Sequence, residues 1–202
     1  MPVDYWTATF LPLLIFTVAS SFTPGPNLVM ITASGANFGW RRSLPHYWGI
    51  VLGFSGMVLA IALGLGTVFE SVPWLHTVLK YVGAAYLIWL GMRIATARRT
   101  ATGTTRGRPF SFVEAALFQW VNPKAWLMAV GAVAAFARTD LAPWVQALPL
   151  TAVMGIISFI SCALYLGGGV AIGRWLESPL AFRVFNLVMG GLTIASVVPL
   201  FL

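Results

Sequence analysis

Two short stretches carry the residue types best suited to chemistry: Thr23-Pro24-Gly25-Pro26-Asn27 and Asn122-Pro123-Lys124, each set inside an apolar run. A proline has no N–H to donate, so Pro24 and Pro26 remove the helical partners of the Ser20 and Phe22 carbonyls, and Pro123 does the same to Gln119. Proline also opens helices well and Asn is a strong N-cap. Half-helices are therefore predicted to begin at Pro26, capped near Gly25 or Thr23, and at Pro123, capped by Asn122. The first amides of such half-helices carry a partial positive charge and favour an anion such as a carboxylate. Lys124 adds a full positive charge, at a membrane depth where burial costs about 2.5–3.5 kcal/mol on insertion scales and is usually functional or paired. The released carbonyls of Ser20, Phe22 and Gln119, with the side chains of Thr23, Asn27 and Asn122, complement an ammonium group. The candidate ligand residues are Thr23, Asn27, Gln119, Asn122 and Lys124, shaped by breaks at Pro24, Gly25, Pro26 and Pro123. Together they suit both ends of an amino acid. A single proline kink is more often only structural; two at matching places, one beside a lysine, favour a site.

Such breaks need an apolar setting to matter, and the composition supplies it. Of the 202 residues 59% are hydrophobic and only 8% charged, with a mean hydropathy of +0.87, whereas an ordinary soluble domain is about a quarter charged. The chain reads as an all-α integral membrane protein forming one domain over residues 1–202. A span needs about 20 mostly apolar residues, and six segments qualify: 7–31, 44–68, 74–95, 112–136, 144–172 and 180–202. The region 98–111, rich in Gly, Thr and Arg, reads as a flexible aqueous loop.

Six crossings place the first, third and fifth loops on one side, which receives Arg41, Arg42, Arg93, Arg98, Arg99, Arg106, Arg108, Arg174 and Arg183. The other side has Lys80 and Arg138 beside Asp4, Glu70 and Asp140. Basic loops stay cytoplasmic, so both termini are expected outside. Trp6, Trp40, Trp48, Trp74, Trp144 and Trp175 fall near span ends, as an interfacial belt of anchors should. The two broken segments are the first and the fourth, and 79–84 aligns locally with 186–191 in the third and sixth. Three spans repeated once give halves of opposite orientation, the inverted-repeat plan of many secondary transporters. Repeat one covers about 1–97, the loop about 98–111 and repeat two about 112–202.

Other chemistries fit less well. The net charge of +7 lies between apolar segments rather than along a helix face, which suits membrane orientation and not nucleic acid. Cys162 is the single cysteine, so an intramolecular disulfide, a CxxC pair and a cysteine-rich metal site are excluded, and no cofactor is called for. His46 and His76 have no ligand spacing and are expected at the interface. The apolar start, with Asp4 and no basic region before it, is expected to be the first span and not a cleaved leader. Gly49, Gly53 and Gly56, and Gly167, Gly168, Gly169 and Gly173, are expected to pack helices closely, or to let them slide during alternating access. Trp120, Trp126, Tyr86, Trp89 and Tyr165 are better bets for core packing than for substrate contact. Ser158, Ser161 and Cys162 form the polar group of the fifth segment, and such hydroxyls more often bond the preceding turn.

Thr23-Pro24-Gly25-Pro26-Asn27, the run from Lys80-Tyr81-Val82-Gly83-Ala84 to Trp89-Leu90-Gly91, and Asn122-Pro123-Lys124-Ala125 together resemble the LysE/RhtB family of bacterial amino-acid exporters. The resemblance runs from the first span to the sixth. It implies a six-helix exporter in the inner membrane that moves amino acids or close derivatives outward, driven by protons. The partners it implies are an amino-acid substrate, the coupling proton and the lipid bilayer, with a homo-oligomer left open. Many relatives carry an acidic residue in the fifth span, where this chain has only Ser158, Ser161 and Cys162. That disfavours a strongly basic substrate. Glu114 is a candidate for proton transfer, though its closeness to the arginine loop favours a surface carboxylate. The competing class is a membrane-embedded redox or metal-handling protein of a related fold, against which the cysteine and histidine counts weigh.

Overall fold

The computed structural model describes residues 9–65, 73–98, 107–137, 141–176 and 178–201, which are largely helical with no strand among them. Trp6, the loop residues 99–106 and the side chain of His76 lie outside the described residues. In chain order the helices are α1 (Leu11–Phe22), α2 (Pro26–Ala60), α3 (Pro73–Ala95), α4 (Phe112–Val121), α5 (Pro123–Phe136), α6 (Pro143–Trp175) and α7 (Pro179–Ala195). A π-helical turn, Ile61–Leu65, extends α2, and a 3-10 turn, Val198–Leu200, follows α7.

Proline opens α2, α3, α5, α6 and α7, where its missing N–H has no helical partner to lose. The start of α4 uses a capping box instead: Ser111 Oγ accepts from the Glu114 amide at 3.2 Å and Glu114 Oε2 accepts from the Ser111 amide at 2.8 Å. Arg108 grips the same carboxylate with both Nη atoms, at 2.5 and 2.7 Å, and this partner holds its guanidinium pKa above the usual value. Glu114 is thus committed to capping and to Arg108, in keeping with a surface carboxylate.

The connection expected at 32–43 is not a loop. Helix α2 runs through it, and the only non-helical residue inside is Gly39, at φ 74° and ψ 178°, a conformation glycine reaches without a Cβ penalty. Thr32 to Asn37 are mostly small, and Ala33, Ser34, Gly35 and Ala36 are buried, so helix continues until Gly39 folds the second limb (40–60) back on the first (26–38). This reversal also encloses His46, expected at the interface: it is fully buried among the helices, with Nδ1 2.8 Å from Ser34 Oγ across the bend and its ring 5.1 Å from Phe110.

Four stretches are long and apolar enough to cross a bilayer: Pro26–Leu65, Thr77–Ala95, Pro143–Trp175 and Pro179–Leu200. The sequence gives six apolar segments, and the difference falls at the breaks. Thr23 to Gly25 separates α1 from α2, and Asn122 separates α4 from α5, so α1, α4 and α5 are each too short alone. Trp40, Trp48, Trp74, Trp144 and Trp175 are all exposed.

Glycine sets the closest helix contacts. A Cβ on Gly35 would stand 2.5 Å from the Leu166 carbonyl, one on Gly173 2.6 Å from that of Ala36, and one on Gly169 would meet the Thr32 carbonyl, so the first limb of α2 lies directly on α6. The second limb packs on α4 through Gly49 and Gly53, which face Phe112 and Ala116, and α3 packs on α7 through Gly91 and Gly190. Without a hydrophobic drive in lipid, such backbone approach is what dispersion contacts need. Gly169→Ala is expected to cost about 1–3 kcal/mol by overpacking. Thermal unfolding in detergent should therefore shift down by several degrees, while Gly168→Ala, with nothing within 4 Å, leaves it unchanged.

Candidate functional site

The two breaks meet. Gly25 is the N-cap of α2 with Pro26 its first residue, and Asn122 is the N-cap of α5 with Pro123 its first residue. The ammonium of Lys124 donates to the Thr23 carbonyl, joining the second break to the first. Gly25 makes room for this: a Cβ there would be 2.7 Å from Lys124 Cδ. Gly25, Asn27, Asn122 and Lys124 line one narrow cavity with Ser20, Ser21 and, from α6, Ser158, Ser161 and Cys162. Leu28, Ile50, Phe54, Ala125 and Met128 give it apolar walls. Its volume of about 40 Å³ is room for a few waters and no more.

The two half-helix ends are not equivalent. In α5 the Lys124 amide is taken by Asn122 Oδ1 at 3.2 Å, and the Asn122 carbonyl takes the amides of Ala125 and Trp126. In α2 the cap residue has no side chain, Val29 is the first amide to find the Gly25 carbonyl, and among the described residues no backbone carbonyl takes the amides of Asn27 and Leu28. The two ends, expected to be alike, thus differ: Asn122 caps its own helix, and the first amides of α2 have no such cap.

Other expected ligands are placed differently. Thr23 is exposed and its hydroxyl donates to the Ala19 carbonyl at 2.6 Å; its carbonyl, not its side chain, joins the site. Gln119 is fully buried behind the site, where it and Asn27 exchange amide hydrogen bonds of 2.7 and 3.2 Å, with a further bond to the Ala115 carbonyl at 2.9 Å. It therefore positions Asn27. Its own carbonyl is not left free, since the Asn122 amide donates to it at 3.3 Å. The Phe22 carbonyl is also taken, by the Tyr165 hydroxyl at 3.0 Å. Tyr165 thus does more than pack: it satisfies one of the groups that the prolines released. Trp126 Nε1 donates to the Trp120 carbonyl at 2.8 Å and the two rings meet edge to face, bracing the second break from outside the cavity.

Three cavity residues from α6 and one from α1 escape a reading centred on the breaks. Ser158, Ser161 and Cys162 reach the site because the glycines of α6 bring that helix against α2. Ser21 is buried, and its hydroxyl has no partner among the described residues. Its position two residues before the break was the available signal. Among the described residues no three His, Cys, Asp or Glu side chains cluster as metal ligands would.

The family model for the LysE type translocator matches residues 18–200, including both breaks. The chain is 27% identical to an uncharacterised membrane protein of Vibrio cholerae, over 95% of this chain and 94% of that one. It is 31% identical to a cysteine/O-acetylserine efflux protein of Escherichia coli, over 74% of this chain and 77% of the relative. It is 26% identical to a homoserine/homoserine lactone efflux protein of Salmonella typhimurium, over 95% and 93% of the two chains. No solved structure matches the chain. With a family match over nearly its whole length and relatives that are efflux proteins, the chain belongs to the LysE type translocator family.

Proposed function

We propose that the chain is a secondary active exporter of neutral amino acids or close derivatives across the bacterial inner membrane, coupled to protons, with its binding site where the two broken helices meet. The observation that carries this reading is the bond from Lys124 to the Thr23 carbonyl beside the unpaired amides of Asn27 and Leu28. The lysine ammonium stands where a substrate ammonium belongs. An arriving carboxylate is met by the Asn27 and Leu28 amides and draws Lys124 toward itself; the Thr23 carbonyl is then released to accept from the substrate's ammonium. Asn27, held by Gln119, and the hydroxyls of Ser158 and Ser161 orient the rest. Because about 40 Å³ cannot hold an amino acid, binding requires the helices around the breaks to part, which gives alternating access its moving element.

In this reading α1 with the first limb of α2, and α4 with α5, are broken crossings, completing six spans in two inverted repeats of three. The packing supports that plan: the first segment lies on α6, the fourth on the second limb of α2, and α3 on α7, which is the set of pairs that exchanging the halves reproduces. Both termini then lie outside and the arginine-rich ends face the cytoplasm. The efflux relatives point to small neutral substrates such as cysteine, O-acetylserine and homoserine. The test is an export screen over these compounds and other amino acids at two external pH values, comparing an expressing strain with an empty vector. One or more compounds should leave faster, and faster at the lower external pH, where the inward proton gradient is larger. No difference between the strains for any amino acid sinks the reading; export indifferent to pH sinks the proton coupling alone.

A further inference from the structure

At the end of the bundle away from the breaks lies a second, larger cavity of about 290 Å³, lined by Ser34 and Asn37 of α2, Arg93 and Arg98 at the end of α3, and Arg108 before α4. Arg108 is held by Glu114, the only carboxylate side chain among the described residues. Arg93 is different. It is half-buried, rests against the rings of Trp89 and Phe110 at 5.5 Å each, and has no hydrogen-bond partner among the described residues. A guanidinium kept in place by aromatic rings, with its donors unspent, suits a carboxylate bound through two parallel bonds.

The two cavities are joined by one helix face. Asn27, Met30, Ser34 and Asn37 follow one another at spacings of three, four and three, which puts them in a single stripe along the first limb of α2. Asn27 lines the cavity at the breaks; Met30, Ser34 and Asn37 line the arginine cavity. Met30, almost fully buried, is the residue of the stripe that stands between them, and a flexible thioether is well suited to yield to a passing group. At the far end the Asn37 and Asn186 amides exchange bonds of 2.6 and 3.1 Å, fixing the limb to α7.

We propose that this arginine-lined cavity is a second binding site, which takes the carboxylate of the substrate on Arg93 before it passes Met30 to the breaks. This inference rests on the export reading above. Arg93 binds the substrate in transit, so its loss should weaken capture without slowing the later steps.

The test uses inside-out membrane vesicles carrying the full chain, with homoserine and O-acetylserine as probes and their carboxyl-blocked counterparts, homoserine lactone and O-acetylserine methyl ester. Arg93→Gln is expected to raise the KM of the free acids roughly tenfold, the worth of one hydrogen bond to a charged group, with kcat and the KM of the blocked compounds unchanged. Arg93→Lys, which keeps the charge but loses the two-bond fork, should recover only part of the loss. Ala97→Glu, which leaves Arg93 in place and sets a competing carboxylate in the same cavity, should reproduce the effect and serves if Arg93→Gln does not reach the membrane. Equal changes for acid and blocked compound, or a fall in kcat alone, would mean a structural role and overturn the proposal, as would no change in either variant. Failure of the export reading shows separately, in the screen above, as a wild-type chain that exports no amino acid at all, so the two failures are distinct.

Discussion

Lys124→Ala is expected to lower export by about 30-fold or more, with the protein still present in the membrane. Removing one member of a desolvated charge pair costs about 2–5 kcal/mol, much of it from the partner left unpaired. In the proposed site the partner is the substrate carboxylate, which would keep only the amides of Asn27 and Leu28. Loss of the lysine also releases the Thr23 carbonyl, so the ammonium end of the substrate still finds its acceptor. The variant should therefore discriminate against the carboxylate end selectively. Lys124→Arg is expected to recover little, because the lysine stem already passes so close to Gly25 that a Cβ there would stand 2.7 Å away, and a planar guanidinium is wider. Initial rates of export from preloaded cells, normalised to the amount of protein in the membrane, measure both variants.

The double change Pro24→Ala, Pro26→Ala should also disable export, by the opposite physical route. It restores two N–H donors and removes two rings that clash with a continuing helix, each worth about 3 kcal/mol in a helix interior. Residues 11–38 can then form one continuous helix. The Phe22 carbonyl would bond its own helix instead of Tyr165, and the Thr23 carbonyl would no longer be open to Lys124. The amides of Asn27 and Leu28 would find carbonyls at Thr23 and Pro24's replacement, closing the anion site. Export should fall at least tenfold while membrane levels hold or rise, the combination expected when a break is kept for function at a cost in stability. Loss of the protein from the membrane would show instead that the break is needed for folding.

Much of the candidate site was legible because proline and asparagine act locally. That Pro26 and Pro123 begin helices, and that Asn122 caps one, follows from the chemistry of those residues alone, and the structure places each there. What lies beyond a turn or two was less legible. The exchange of bonds between Asn27 and Gln119 spans 92 positions of sequence, and the bond from Tyr165 to Phe22 spans 143; neither follows from local pattern. The same holds for His46, whose burial depends on a reversal at a single glycine. The apolar segments were visible from composition, but apolarity reports a solvent and not a helix boundary. This is why residues 32–43 pass as a connection in the sequence although they are helical on both sides of Gly39.

The most direct test of the central claim uses Cys162, the only cysteine of the chain and a lining residue of the cavity at the breaks. Cys162 is 2% exposed, so a small thiol reagent reaches it only when the helices around the breaks part. The measurement is the rate of Cys162 alkylation in membranes with and without a saturating concentration of an exported amino acid. A site at the breaks predicts that the amino acid slows labelling several-fold and that Lys124→Ala abolishes this protection. Labelling at the same rate with and without the amino acid, in a chain that demonstrably exports it, would contradict the placement of the site.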